Sequence, residues 1–224
     1  MSKVLISCMD RRLNNYIESK YSDFFVFRNA GANVYGIEQQ LKEFVNDHNV
    51  DKLVIAPHTD CGAMKVVKSS LEDKQRDSDI DNLLTNHFLS FKDSNLEEKN
   101  KEIMFNRLNE LFNYLDIEVD FIDINKIETK EDKNEHILLV TSPYKPIYKE
   151  IFNELNLEPF GTYIIQARTD LVLTDIKIGI ERLEIKNIIF LALKDENERN
   201  LKYFESMLRI RYKDIKTKIE KIKL

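Results

Sequence analysis

KLVIAPHTDC, residues 52–61, is a strand-like run that stops at a proline, with a histidine and a cysteine just beyond it. The same arrangement opens the chain, where KVLIS, residues 3–7, ends at Cys8 in the segment CMDRR, residues 8–12. FFVF, residues 24–27, is another such run and leads into RNAG, residues 28–31. Between FFVF and KLVIA, residues 37–46 place Ile37, Leu41, Phe44 and Val45 at helical spacing. Strands separated by helical stretches predict an α/β fold with a parallel sheet. Active groups in such sheets gather at the carboxyl ends of strands, and Cys8, Arg28 and His58 all fall at such ends.

Further along, residues 62–92 are mixed and charged, with helix in parts, and residues 97–115 read as a helix with Ile103, Leu108, Leu111 and Leu115 on its apolar face. IEVDFIDI, residues 117–124, alternates like a strand. Residues 128–135 read as a charged linker, after which the pattern starts over. HILLVTSPYKPI (136–147) parallels KVLISCMDRRLN (3–14), and TYIIQ (162–166) parallels FFVFR (24–28). IGIERLEIKNIIFLAL (178–193) matches EFVNDHNVDKLVIAPH (43–58), and residues 204–224 echo 105–125. The tail from 214 to 224 reads as a strand rather than a basic binding tail. The reading is a degenerate internal duplication, with one half over 1–127 and a second over 136–224. The second copy lacks the chemistry: Thr141 stands for Cys8, Pro143 for Asp10, Lys145 for Arg12, Leu193 for His58 and Glu196 for Cys61.

The 224 residues suffice for one large domain or two small ones. A net charge of −5 shows no basic face, so no nucleic-acid partner is expected. No apolar run reaches the roughly 18–20 residues that span a bilayer. MSKVLISC is too short for a signal peptide, so a cytoplasmic location is expected. In a reducing compartment the only two cysteines, Cys8 and Cys61, point to metal or catalysis rather than to a disulfide.

Two thiolates and an imidazole, from Cys8, His58 and Cys61, suit zinc. A helix starting after His58 would bring His58 and Cys61 to one side of its first turn and lower the pKa of Cys61. Thr59 or Asp60 would cap it. Three protein ligands leave a fourth position for water, the mark of a catalytic zinc. Asp10, ionised beside Arg12, either accepts a hydrogen bond from that water or takes the fourth position itself. Arg28 and Asn29 are read as tying the loop after the second run, and His48, His87 and His136 as incidental.

Together CMDRR, RNAGA and HTDCG resemble the motifs of the beta-class carbonic anhydrases, C-x-D-S-R, R-N-A-G-N and H-x-x-C-G. The resemblance covers residues 3–65 by motif and extends to about 125 by pattern. It implies that Cys8, His58 and Cys61 hold zinc, that Asp10 and Arg12 form a gating dyad, and that zinc-bound hydroxide attacks carbon dioxide. That family builds its site at a dimer interface, so the second half would serve here as the missing subunit of an internal pseudo-dimer with one live site. Arg11 replaces the motif serine, Ala32 the asparagine and Pro57 the glycine before the histidine, and the N-terminal helical arm is missing. Arg11 either adds a positive charge beside the site or points into solvent. The expected function is zinc-dependent, reversible hydration of carbon dioxide to bicarbonate. The alternatives are hydrolysis of carbonyl sulfide or carbon disulfide on the same site, or a zinc- or anion-binding module without turnover. The expected partner is a small-molecule substrate, with no membrane, and pairing into a homodimer through a sheet edge is left open.

Overall fold

The apolar runs become the strands of one sheet. The computed structural model describes residues 1–72, 77–129, 136–169, 171–193 and 199–222. The strands are β1 (Ser2–Cys8), β2 (Phe25–Asn29), β3 (Val50–Ala56), β4 (Asp116–Val119), β5 (Ile137–Thr141), β6 (Thr162–Gln166), β7 (Asn187–Leu193) and β8 (Lys216–Ile222). The helices are α1 (Asn14–Lys20), α2 (Glu38–Asp47), α3 (Gly62–Leu71), α4 (Ser78–Leu83), α5 (Leu96–Leu111), α6 (Tyr148–Leu155), α7 (Val172–Leu183) and α8 (Arg199–Arg211).

The sheet runs β4-β3-β1-β2-β6-β5-β7-β8. Its strand pairs are parallel except at the centre, where β2 meets β6 antiparallel through Arg28 and Gln166. Outward from that junction the order is β2, β1, β3, β4 on one side and β6, β5, β7, β8 on the other. Consecutive residues of β1, Val4, Leu5 and Ile6, are all fully buried. A strand covered on both faces needs an unbroken apolar run, and β1 and β3 have one. The edge strands β4 and β8 are largely exposed and carry Asp, Glu and Lys, which discourages pairing with another sheet.

The halves are knit through the core. Ile164 N–H donates to Met9 O (3.1 Å) and Val26 N–H to Tyr144 O (3.0 Å). The Asn14 amide donates to the carbonyls of Pro159 (2.7 Å) and Thr162 (2.8 Å). No helix among the described residues is long and apolar enough to cross a membrane.

Two expected elements are shorter in the structure. The helix expected over 97–115 ends at Leu111, because Phe112 turns into the core at φ −140° and caps it through Leu108 O. The strand expected over 117–124 is regular only to Val119. Beyond it, Asp120 N–H still reaches Ile55 O and Ile122 N–H reaches Pro57 O, but Pro57 has no N–H to give back and the ladder breaks. Of the expected linker, residues 130–135 lie outside the described residues, as do residues 223–224 of the tail.

Candidate metal centre

β1 ends at Cys8, and the chain after β3 passes through Pro57 and His58 to Cys61. The ligand atoms of Cys8, His58 and Cys61 all lie within 4.8 Å of one another. This is the one such group of three among the described residues. The two sulfurs are 4.0 Å apart, and all three side chains are buried. His58 Nδ1 lies 2.8 Å from Thr59 O, which fixes the ring, while Nε2 is buried with no hydrogen-bond partner. An orphaned buried nitrogen beside two sulfurs is costly unless something binds it, and the donor set fits zinc.

The sulfurs differ in charge. The Cys61 thiol hydrogen-bonds Cys8 and holds it well below the ordinary thiol range, against the effect of burial. The same bond pushes Cys61 well above it. The expected helical turn from His58 is absent. Asp60 takes a left-handed φ of +55°, and α3 starts only at Gly62, with Cys61 at its N-cap position. Thr59 and Asp60 do not cap it; Thr59 Oγ1 accepts from Ile124 N–H (3.0 Å), and Asp60 pairs with Arg12 and Lys65. Cys61 N–H instead donates to Glu97 Oε1 (3.1 Å).

The RNAG segment is a bracket around Cys8. Buried Arg28 donates to Cys8 O (2.9 Å), Asp10 O (2.8 Å) and Asn14 Oδ1 (2.6 Å), so it ties the loop after the first run rather than the one after the second; Asn29 ties the latter, its amide donating to Asn33 O (2.7 Å). Gly31 N–H reaches Cys8 Sγ at 3.4 Å. Gly31 has φ +74°, and a Cβ there would meet Ala63 and Met64 at 3.3 Å, which is why glycine stands in this place. Ala30 N–H donates to Asp175 Oδ1 (3.0 Å), a buried carboxyl on α7. Burial raises Asp175 to about 7.

Asp10 faces Arg12. Its Oδ1 accepts from Arg12 N–H (2.9 Å) and Nε (3.0 Å), and its Oδ2 from Nη2 (2.7 Å). Oδ2 lies 3.9 Å from His58 Nε2. Burial pushes Asp10 up, but Arg12 and His58 outweigh it and leave the carboxyl below its ordinary range. Arg12 also donates to Asp60 Oδ2 (2.6 Å) and Asp60 O (2.8 Å), so it joins the two loops that carry Cys8 and Cys61.

Beside the cluster opens a cavity of about 690 Å³ lined by Cys8, Asp10 and Arg11 and, from the later part of the chain, by Tyr163, Ile178 and Arg182. Arg11 is thus on the cavity wall. Tyr163, Ile178 and Asp175 are not found by sequence reasoning, because no motif marks the part of the chain they come from. The counterparts in that part, Thr141 and Leu193, end β5 and β7 and offer no ligand cluster; Glu196 lies outside the described residues.

Residues 3–138 match the family described as carbonic anhydrase. That span includes Cys8, Asp10, Arg12, His58 and Cys61. No curated protein matches the chain.

Proposed function

The chain belongs to the carbonic anhydrase family, in its beta class, and from that premise we propose that it catalyses the reversible hydration of carbon dioxide to bicarbonate with zinc held by Cys8, His58 and Cys61. The observation that carries this reading is the convergence of those three buried donors beneath a cavity whose wall holds the Asp10–Arg12 pair. When bound, zinc supplies Lewis acidity that makes water a nucleophile near neutral pH. Asp10 Oδ2 accepts the remaining hydrogen of the reacting water and so aims its lone pair at the carbon of carbon dioxide. Arg12 keeps Asp10 ionised and prevents its rotation. The water oxygen bonds to carbon, one C=O pair moves onto oxygen, and the released proton goes to solvent, giving bicarbonate. The apolar part of the cavity, with Met9, Ala63, Val66 and Ile178, accommodates the neutral substrate.

The second half takes the place of a partner subunit in this reading. The mirrored strand order supports a duplication, and Tyr163 and Ile178 supply one wall of the cavity. One active site per chain follows.

Stopped-flow hydration of carbon dioxide by zinc-loaded protein tests the proposal, with carbonyl sulfide and carbon disulfide assayed in parallel. Asp10→Asn keeps the size of the side chain and removes its charge, and is expected to lower turnover by roughly 10²-fold. Turnover of the sulfur substrates alone would move the assignment to their hydrolysis. Zinc bound at one per chain without any turnover would leave a binding module.

A further inference from the structure

Arg11 is the motif position to which the proposed chemistry gives no task. Around the cavity Asp10 is paired with Arg12, and Asp60 with Arg12 and Lys65, while Arg182 adds a second cation to the wall. Zinc held by Cys8 and Cys61 as thiolates would be neutral as a unit. Arg11 stands outside this balance. Its guanidinium donates to Phe160 O and lies over the Tyr163 ring, 6.0 Å from the centroid, and no carboxylate among the described residues lies within ion-pair distance of it. One of its five N–H donors is used on Phe160; the fork is held in place with donors to spare. The Tyr163 hydroxyl senses both charges: burial raises it, the charge of Asp10 raises it further, and Arg11 draws it down. Arg11 and the Asp10 dyad therefore border the same space. At about 690 Å³ that space is far larger than a triatomic molecule needs, and it is in the range of ligand pockets.

We propose that Arg11, seated against Tyr163, is a specificity-determining residue that binds a planar, singly charged carboxylate in the cavity, which in this reaction is bicarbonate. An unbalanced guanidinium in a half-enclosed site favours such an anion through paired N–H···O bonds. The identity of the anion rests on the proposed reaction; the site itself does not. The ratio of kcat/KM in the two directions is fixed by the overall equilibrium, so loss of Arg11 cannot favour one direction. It raises KM for bicarbonate and weakens competing carboxylates.

The test is acetate binding to zinc-loaded protein, read by saturation-transfer NMR of the acetate methyl group. Arg11→Ser and Arg11→Gln are compared with wild type, and Arg209→Gln serves as a control for charge lost elsewhere on the surface. The glutamine can still donate to Phe160 O, so the contact that seats the loop survives. Acetate Kd is expected to rise about tenfold in both Arg11 variants and to stay at the wild-type value in Arg209→Gln. An unchanged Kd in Arg11→Ser and Arg11→Gln, or an equal rise in Arg209→Gln, would overturn the proposal. Binding is read without turnover, so a protein inactive on carbon dioxide still tests the role of Arg11.

Discussion

Gly31 shows how a single backbone angle supports the centre. With φ +74°, it directs its N–H at Cys8 Sγ, and a Cβ there would crowd Ala63 and Met64 at 3.3 Å. Gly31→Ala is expected to cost about 1–2 kcal/mol, from the left-handed backbone and the crowding. That is a drop of several degrees in Tm, with weaker zinc retention in a chelator competition. Asp175 gives a pH signature. Its carboxyl is raised by burial from 3.8 to about 7, so the folded state binds its proton more tightly than the unfolded state. This contribution to stability is complete below 3.8, falls as pH rises toward about 7, and is flat above that. Asp175→Asn keeps an acceptor for Ala30 N–H and has no such slope. Wild type is expected to lose Tm relative to the variant between roughly pH 5 and 7; a constant difference would contradict it. At this scale the sequence is most informative where chemistry is carried by residue type. Cys8, His58, Cys61, Asp10 and Arg12 are all legible, and the structure brings them together. The turn between His58 and Cys61 is not, because its shape depends on one left-handed aspartate, Asp60, and aspartate tolerates that conformation without announcing it.

Among the elements, β2 does the most to shape the site. Its Arg28 is fully buried and donates to two carbonyls and an amide oxygen, all from the end of β1 and the segment that follows it. Arg28→Met would fill the space and take the guanidinium donor from Cys8 O and Asn14 Oδ1, while Asp10 O keeps only Leu13 N–H (3.1 Å). The expected loss is about 3 kcal/mol or more, read as a lowered urea midpoint. A change under roughly 1 kcal/mol would show that the loop is held by other contacts. The strands themselves are legible because a sheet covered on both faces demands continuous apolar runs, as in β1 and β3. The end of β4 is not, because it is set by Pro57 on the neighbouring strand rather than by anything in residues 117–124.

For the whole molecule, the antiparallel β2–β6 junction determines how the site is completed. It brings Tyr163 and Ile178 to the cavity that Cys8 and Asp10 also line. Those residues are illegible in the sequence because their contribution depends on how two parts of the chain meet. Ile178→Ala would remove an apolar part of the cavity wall. It is expected to leave zinc content unchanged and to raise KM for carbon dioxide by a few-fold, since a small apolar truncation alters binding by about 1 kcal/mol. The central claim is that one centre per chain, built on Cys8, His58 and Cys61, interconverts carbon dioxide and bicarbonate. It is tested most directly by ¹⁸O exchange between bicarbonate and water at chemical equilibrium, on protein loaded with increasing zinc. The account predicts exchange that rises in proportion to bound zinc, levels off at one ion per chain, and is absent in Cys61→Ser. Protein that holds one zinc per chain yet exchanges no faster than its zinc-free form would contradict it.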